Sequence, residues 1–241
     1  MYIIYTLWRI VNKHLIEVYD ISKIYPSQAG NVQALRHVSF NVAAGEFVGV
    51  IGKSGAGKST LVNMITGIDT LSSGSISVGG VQIHQLSEDQ RNGWRGRHIG
   101  MVYQSFELLN QLTLLENITL VMDFCGNYQG KKSVDRALHL LEQVEIGAHA
   151  YKNPTAISGG QQQRVAIARA LANDPDIIVA DEPTGNLDSQ TSQTILELFS
   201  ALQKQGKTIF MVTHNMNLLT AFSKVYQLSD GVLSEKKAKK K

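Results

Sequence analysis

Three short runs of apolar residues are prominent in a chain whose other segments mix apolar and polar positions. They are FVGVI at 47–51, DIIVA at 176–180 and TIFMV at 208–212. Runs rich in β-branched and aromatic residues are typical of central strands in a parallel sheet that is covered on both faces. A helical pattern follows each run, in the segments KSTLVNMITGI, TSQTILELFSALQKQ and NLLTAFS. This alternation of strands with helices indicates an α/β fold built on a mostly parallel sheet.

Two further regions have patterns of their own. Residues 16–50 alternate and cluster apolar residues between the turn signals YPSQAGN and AAGE, which predicts a small N-terminal antiparallel β subdomain. Residues 89–165 are dominated by helical periodicity, as in SVDRALHLLEQV, which predicts an α-helical subdomain inserted into the core. We therefore expect one domain over 15–235, preceded by an extension at 1–14 and followed by a polybasic tail at 236–241.

The positive charge of the chain is concentrated at its C-terminal end. The formal net charge is +3, but the last six residues, KKAKKK, hold five of the 23 basic residues. Subtracting those five leaves 18 basic residues against 20 acidic ones, a balance of −2. A slightly acidic body argues against a nucleic-acid-binding surface, so we expect no nucleic-acid partner. The tail is either a solvated end or a contact for anionic lipid, worth about 1 kcal/mol per lysine near the surface.

Cysteine content and hydropathy limit the cellular setting. The single cysteine, Cys125, excludes an intrachain disulfide and fits a reducing cytoplasm. No apolar run approaches the roughly 20 residues that a membrane-spanning helix needs. The first residues, MYIIYTLWRIVNKH, are apolar and aromatic, but Thr6 and Arg9 interrupt them and they lack the cleavage site of a signal peptide. We interpret them as an extension, either an amphipathic strip or a segment without function.

The segment GKSGAGKST at 52–60 carries the most specific chemistry. It matches the pattern G-x-x-x-x-G-K-[ST] and lies between a predicted strand and a predicted helix, as a phosphate-binding loop requires. Its glycines allow backbone angles and a close approach that a Cβ atom would block. Lys58 would reach the β- and γ-phosphate oxygens of ATP, and Ser59 would bind Mg²⁺. The segment predicts a P-loop NTPase core with the ATP ligands Gly52, Ser54, Gly55, Ala56, Gly57, Lys58, Ser59 and Thr60.

Polar residues close the other two apolar runs. Asp181 and Glu182 follow the second run, at the carboxyl edge where ligands bind in open α/β sheets. Asp181 suits an outer position around Mg²⁺, whereas Glu182 could orient and polarise the water that attacks the γ-phosphate. His214 follows the third run and could hydrogen-bond the γ-phosphate from the same predicted edge. We therefore predict catalytic roles for Glu182, His214 and Lys58.

A second glycine-rich turn opens a helix in the segment ISGGQQQRVAIARAL at 157–171. Such turns hold phosphate, because backbone N–H groups meet the positive end of a helix dipole there. This one has no lysine. SGGQQQ at 158–163 resembles the signature loop of the nucleotide-binding subunits of ATP-binding-cassette (ABC) transporters. The resemblance covers roughly residues 15–233, and its motifs follow the order of that family.

The resemblance implies further site residues and a partner. Tyr25 matches the aromatic that stacks on adenine, and Asp188 matches the loop that crosses the subunit interface. Gln104 matches the glutamine that senses Mg²⁺ and the attacking water, which implies a catalytic and metal-binding role for it. In that family two subunits pair head to tail, so the signature loop of one covers the ATP of the other. A homodimer that binds ATP and Mg²⁺ is thus implied. The signature loop would contribute Ser158, Gly159, Gly160 and Gln161 to the ATP site.

Three stretches resemble one branch of the family, the macrolide exporters, lipoprotein-releasing systems and peptide-antibiotic-resistance systems. They are ADEPTGNLDS at 180–189, SGGQQQRVAIARAL, and MVYQSFELLNQLTLLENI at 101–118. This branch implies two copies of a separate membrane permease, with the ATPase on the cytoplasmic face of the membrane. Phe106, Leu108 and Leu109 would then form the groove that receives the permease, or would be plain core residues. The expected work is export or extraction of a lipophilic or peptide substrate, or transmission of mechanical force.

Two alternatives use the same catalytic residues. The first is the ATPase of an importer, although sugar importers usually carry an additional C-terminal domain. The second is a soluble ABC protein acting on ribosomes or DNA, which resembles two fused cassettes or a cassette split by a long coiled coil. The motifs leave open the transported molecule, the direction of transport and the permease.

Overall fold

The computed structural model describes residues 14–28 and 30–236. Most of the predicted extension and of the predicted lysine tail therefore lies outside the described residues. The chain divides into two compact units. The first combines the described residues up to Asn92 with those from Phe210 onward, and the second runs from Gly93 to Ile209.

An antiparallel sheet of four strands forms much of the first unit. Its strands are β1 (His14–Tyr25), β2 (Val32–Ala43), β4 (Ser73–Val78) and β5 (Val81–Gln82), in the order β2-β1-β4-β5. The predicted N-terminal antiparallel sheet is thus confirmed. The patterns described above do not predict β4 and β5, because four of the six residues of SGSISV are serine or glycine and β5 is only two residues long.

A β-bulge explains why the inward-facing residues of β1 do not alternate strictly. Between the pairs Val18–Phe40 and Ile21–Val38, β1 advances three residues while β2 advances two. The extra residue bends the strand, and Asp20 within it has the left-handed φ of 50°. Val18 and Ile21 consequently both face the core, with exposures of 4% and 0%.

The first unit also contains β3 (Phe47–Ile51), β9 (Lys224–Ser229), β10 (Val232–Lys236) and most of β8 (Thr208–Thr213). β3 runs parallel to β9, and β9 runs antiparallel to β10. All five residues of β3 are buried, as the uninterrupted apolar run predicts. In the first unit the strands of the larger sheet lie in the order β10-β9-β3-β8, and in the second unit β7 (Ile177–Asp181) neighbours β6 (Ile99–Val102).

Helix α1 (Lys58–Ile65) follows β3 in the first unit, together with the 3₁₀ helices Ile83–Gln85 and Met216–Ala221. The second of these corrects the prediction of an α-helix after the third apolar run. Asn215 caps it by accepting a hydrogen bond from the amide of Asn217, and the chain is already extended again at Phe222. β9 begins at Lys224, so too few residues remain for the successive turns of an α-helix.

The second unit is mainly helical. It contains α3 (Leu114–Phe124), α4 (Lys131–Gln143), α5 (Gly159–Ala170), α6 (Ser189–Lys204) and two 3₁₀ helices, Gly147–His149 and Pro154–Ala156. Helix α2 (Glu88–His98) carries the chain into it from the first unit. The strands β6 and β7 pair in parallel within it. Helical periodicity around 89–165 concealed β6, which is only four residues long.

The predicted α/β fold class with an N-terminal antiparallel β subdomain is confirmed. The larger sheet, predicted to be mostly parallel, is mixed, because β9 and β10 pair antiparallel. Buried Val, Ile and Phe side chains on β3, β7 and β8 contribute to the cores of the two units. Each such side chain stabilises the fold by about 1.5–3 kcal/mol relative to exposure. Within the described part of the chain, every helix is too short or too polar to cross a bilayer.

Candidate nucleotide-binding and catalytic site

The loop between β3 and α1 can be built only with glycine at certain positions. Gly57 has a φ of 102°, and a Cβ atom there would lie 2.5 Å from the carbonyl oxygen of Ala34. A Cβ atom at Gly52 would lie 2.5 Å from the carbonyl oxygen of Leu228. Real Cβ atoms do not approach an oxygen so closely, so both positions exclude larger residues. The neighbouring backbone thereby fixes the shape of the loop.

Helix α1 begins in a way that suits an anion. Its N-cap is the left-handed Gly57, and within the described chain no side chain caps it. The amides of a first helical turn have no acceptor inside their own helix, and they stand at the positive end of the helix dipole. A phosphate group can supply the missing acceptors.

Lys58 adds a positive charge to the same helix start. Its side chain reaches back over the loop, where Nζ donates to the carbonyl oxygens of Gly52 at 2.9 Å and Lys53 at 3.0 Å. Only 7% of Lys58 is exposed. By contrast, Ser54 and Ser59 are exposed, and Ser59 can offer its hydroxyl to a ligand. Thus the carbonyl oxygens of the loop hold the Lys58 ammonium group in place.

His214 and Tyr25 lie in the first unit with this loop. The Gly52 amide donates to the carbonyl oxygen of Thr213 at 3.2 Å, so the exposed His214 follows a strand end that contacts the start of the loop. The half-buried Tyr25 ends β1, and its phenol shares a hydrogen bond with Thr60 at the other end of the loop. The first unit therefore gathers the predicted base-binding and phosphate-binding residues.

Sequence patterns did not reveal the residues that hold Tyr25. Its hydroxyl donates to Asp69 Oδ2 at 2.8 Å, and Lys23 Nζ lies 4.7 Å from the ring centroid. Burial, followed by the hydrogen bond to Asp69, raises the pKa of Tyr25, so the phenol stays protonated near neutral pH. Asp69 is 44 residues away in sequence, and no local spacing connects the two.

In the second unit, Asp181 ends β7 and Glu182 follows it directly. Glu182 is 9% exposed and has a left-handed φ of 49°. Its carbonyl oxygen accepts a hydrogen bond from the amide of Gly185 at 2.9 Å, which closes a tight turn. A non-glycine residue in this conformation costs on the order of 1–3 kcal/mol and is common at functional sites. The turn fixes the direction in which the buried carboxylate leaves the strand.

Gln104 contacts the same turn of the second unit. Its Nε2 donates to Asn186 Oδ1 at 3.1 Å, while Asn186 Nδ2 donates to the carbonyl oxygen of Gln104 at 3.2 Å. A Cβ atom at Gly185 would lie 2.7 Å from Gln104 Nε2, so glycine leaves room for the amide. The structure thus brings Gln104 and the Glu182 turn together. Asn186 is a further residue that the sequence analysis missed.

The predicted signature loop forms a capped helix start. Ser158 is the N-cap of α5, and its Oγ accepts from the Gln161 amide at 3.4 Å. In return, the Gln161 side-chain oxygen accepts from the Ser158 amide at 2.9 Å. This is a capping box, which satisfies two backbone donors reciprocally. Gly159 and Gly160 form the first turn of the helix.

Asp188 caps the next helix, α6. Its carboxylate accepts from the Thr191 amide at 2.9 Å and from the Thr191 hydroxyl at 2.6 Å. These hydrogen bonds lower the pKa of Asp188. A Cβ atom at Gly160 would lie 2.5 Å from Thr191 Cγ2, so the start of α5 packs against this cap. The second unit therefore brings together the signature loop and the predicted interface loop.

The turn after Gln104 is strained and is held from α5. Phe106 and Glu107 are both left-handed, with φ values of 58° and 52°. The Arg169 guanidinium donates to the carbonyl oxygens of both residues, at 2.8 Å in the case of Phe106. Leu108 is half-buried and Leu109 is 46% exposed, so this segment presents an apolar surface to solvent. Arg169 was not predicted.

The donor chemistry in both units fits Mg·ATP. Two glycines without room for a Cβ atom, Gly52 and Gly57, a helix start without a side-chain cap in the described chain and the Lys58 ammonium suit a polyphosphate. Mg²⁺ prefers hard oxygen ligands. The first unit contains one such group, the Ser59 hydroxyl, and the second unit contains the Gln104 amide and the Asp181 carboxylate.

Comparisons with known proteins agree with this chemistry. Residues 35–185 match the protein family described as ABC transporter. An uncharacterized ABC transporter ATP-binding protein of Thermotoga maritima is 45% identical over 219 residues, which cover 91% of this chain and 93% of that protein. The macrolide export ATP-binding/permease protein MacB of Mannheimia succiniciproducens is 38% identical over 90% of this chain, but the match covers only 34% of MacB.

A solved structure extends the likeness to three dimensions. It is a dimeric, post-hydrolysis state of the ATP-binding cassette MJ0796 bound to ADP and Pi, from Methanocaldococcus jannaschii. It superimposes with a TM-score of 0.86 at 38% sequence identity, over 94% of this chain and 100% of that one.

Proposed function

The chain belongs to the ABC transporter family of ATP-binding proteins, and we propose that it hydrolyses ATP to drive a separate membrane permease. It is an ABC ATPase. The observation that carries the proposal is the loop before α1, where glycines, an uncapped helix start and Lys58 surround the same space. This arrangement suits the β- and γ-phosphates of ATP.

Each residue of the loop has a defined part in binding. The backbone amides donate to the β-phosphate, and Lys58 exchanges its bonds to loop carbonyls for bonds to the β- and γ-oxygens. Ser59 and Gln104 would bind Mg²⁺, with Asp181 in an outer position around the ion, and the ion would neutralise part of the phosphate charge. Tyr25 stacks on the adenine base.

Glu182 orients and polarises the attacking water. The oxygen of that water bonds to the γ-phosphorus as the bond from phosphorus to the β–γ bridging oxygen breaks. The Glu182 carboxylate accepts a proton of the water and releases it to the products, ADP and inorganic phosphate. His214 hydrogen-bonds the γ-phosphate, and Gln104 senses the water from beside the Glu182 turn. The strained turn at Glu182 supports this role, because it sets the direction of the Cα–Cβ bond of Glu182 before substrate arrives.

Two copies pair head to tail, so the signature helix of one covers the ATP of the other. Ser158 can accept from the Gln161 amide and still donate its own hydroxyl proton to a γ-phosphate oxygen. The dipole of α5 adds about half a positive charge. ATP then stabilises the closed pair, and hydrolysis releases it, which is a population shift between two states.

The partner is a permease, present in two copies, and the ATPase lies at the cytoplasmic face of the membrane. The similarity to MacB favours export or extraction of a lipophilic or peptide substrate. The C-terminal lysines contribute an additional contact to anionic lipid. An importer would use the same catalytic residues and would differ in its permease.

The proposal is tested with Glu182→Gln. We expect this variant to bind ATP normally and to lose at least about 100-fold in hydrolysis, since one oriented general base contributes roughly 10²–10⁴-fold. The control Glu197→Gln changes an exposed glutamate on α6 and keeps activity. Purification of tagged Glu182→Gln from membranes with Mg·ATP then identifies the permease. Near-normal turnover would refute the role of Glu182, and recovery of only ribosomal partners would refute the transport function.

A further inference from the structure

Tyr25, Asp69 and Lys23 of the first unit contact one another pairwise and form a cluster of three side chains. The Tyr25 hydroxyl donates to Asp69 Oδ2 at 2.8 Å, and Lys23 Nζ donates to Asp69 Oδ1 at 2.8 Å. Lys23 Nζ also lies over the Tyr25 ring, 4.7 Å from its centroid. Each side chain of the cluster thus contacts the other two. Asp69 holds the hydroxyl edge of the Tyr25 aromatic ring, and Lys23 covers one of its faces.

The two charged side chains of this cluster, Lys23 and Asp69, form further hydrogen bonds. Lys23 is 8% exposed and donates also to the carbonyl oxygen of Thr70 at 2.7 Å. Asp69 Oδ1 accepts from the Thr70 amide at 2.6 Å. Burial alone would raise the pKa of Asp69, but the hydrogen bonds from Lys23, Tyr25 and Thr70 outweigh it and lower the pKa. The carboxylate is therefore ionised and accepts bonds from all three groups.

The same contacts tie Tyr25 to the helix that begins at the phosphate-binding loop. At the end of α1, the amides of Ile68 and Asp69 donate to the carbonyl oxygen of Asn63 at 2.9 and 3.2 Å. Tyr25 is thus attached, through Asp69, to the far end of the helix whose first residue is Lys58. The distance from the ring to the loop depends on one rigid element.

We infer that Asp69 and Lys23 are positioning residues that hold the Tyr25 ring ready for a purine base before nucleotide binds. The Lys23 ammonium occupies one face of the ring, and the base stacks on the other. A ring already fixed loses little conformational freedom on binding. This inference rests on the proposed stacking role of Tyr25, and it assigns the affinity for the base to residues that do not touch the nucleotide.

The test separates binding of the base from binding of the phosphates. Equilibrium dissociation constants are measured for ATP and for inorganic tripolyphosphate, which has no base. We expect Asp69→Ala and Lys23→Met to weaken ATP by about 3- to 10-fold, the cost of ordering one or two side chains, and to leave tripolyphosphate unchanged. Glu17→Ala, which removes an exposed carboxylate from the same strand, is the matched control and changes neither constant.

Tyr25→Phe removes the hydroxyl that donates to Asp69 and that also shares a hydrogen bond with Thr60, and it keeps the test usable if Asp69→Ala fails to fold. It should weaken ATP binding to the same extent as Asp69→Ala. The double variant Tyr25→Phe/Asp69→Ala should bind ATP no more weakly than either single variant. Equal losses for ATP and tripolyphosphate would indicate a structural role and overturn the inference, as would no change in ATP affinity. Tyr25→Ala tests the premise separately: an unchanged ATP constant there would remove the stacking role itself.

Discussion

Two helices of this chain begin at glycine-rich turns, and they begin in opposite ways. Helix α1 starts at the left-handed Gly57 with no side-chain cap within the described chain, whereas α5 starts at Ser158 inside a complete capping box. In the described chain no side chain accepts a capping hydrogen bond at the start of α1, whereas the Ser158 side chain accepts one at the start of α5. Glycine content alone therefore does not tell how a helix start meets phosphate: α1 offers backbone amides, whereas α5 offers the hydroxyl of its capping serine.

The glycines differ in the same sense. Gly57 has a φ of 102° and has no room for a Cβ atom beside the Ala34 carbonyl. Gly159 is helical, and a Cβ atom there would only reach ordinary contact with the Phe106 ring, at 3.5 Å. In the loop before α1 the backbone conformation and the neighbouring carbonyl require glycine. In α5 glycine leaves the helix surface low, because no side chain protrudes there. A low surface suits close approach by a partner subunit.

The largest effect is expected from Lys58→Ala. A hydrogen bond to a charged group is worth about 1.5–3 kcal/mol, so ATP affinity should fall by about 10- to 150-fold and turnover should be lost. Lys53→Ala removes the same charge from an exposed position of the loop and should alter the ATP dissociation constant by less than about 3-fold. Retained hydrolysis in Lys58→Ala would contradict a phosphate-binding loop.

Gly57→Ala should come next. Left-handed backbone costs an ordinary residue about 1–2 kcal/mol, and the overlap with the Ala34 carbonyl adds to this, so we expect at least about 2 kcal/mol off the free energy of unfolding in urea. Gly45→Ala is the control, because Gly45 has a φ of 77° and nothing within 4 Å of a Cβ atom. If the two variants lost equal stability, crowding at Gly57 would be excluded.

Ser158→Ala should have a moderate effect. Loss of an N-cap costs about 1 kcal/mol of stability, and the variant should also need more ATP to dimerise. Thr113→Ala removes the cap from the equivalent capping box of α3 and should cost similar stability with normal ATP-dependent dimerisation. Sedimentation at a series of ATP concentrations distinguishes the two. Equal dimerisation in both variants would show that Ser158 only caps its helix.

The smallest change, of opposite sign to Gly57→Ala, is expected from Gly159→Ala. Alanine is favoured over glycine in a helix by up to about 1 kcal/mol, and the first turn realises only part of this. We expect a gain of about 0.5 kcal/mol in the free energy of unfolding in urea. A loss of 2 kcal/mol would mean that the two glycine-rich turns impose the same constraint, contrary to the comparison above.

The features that could be predicted from the sequence are those that a short contiguous stretch of the chain encodes. The strands β3, β7 and β8 were found because a fully buried strand leaves a local run of apolar letters, and the family prediction is confirmed because its motifs are contiguous. Asp69, Asn186 and Arg169 were missed because they contact Tyr25, Gln104 and Phe106 from 44, 82 and 63 residues away. No local spacing encodes such contacts, which depend on tertiary packing.

The central claim is that the uncapped and the capped helix starts hold the same ATP from two subunits. The most direct measurement compares the mass of Glu182→Gln with that of Glu182→Gln/Ser158→Arg in sedimentation at saturating Mg·ATP. We expect the single variant to be a dimer, and the double variant to bind ATP with the same dissociation constant but to remain a monomer. A double variant that dimerised as fully as the single one would contradict the claim, because the signature helix could not then face the nucleotide.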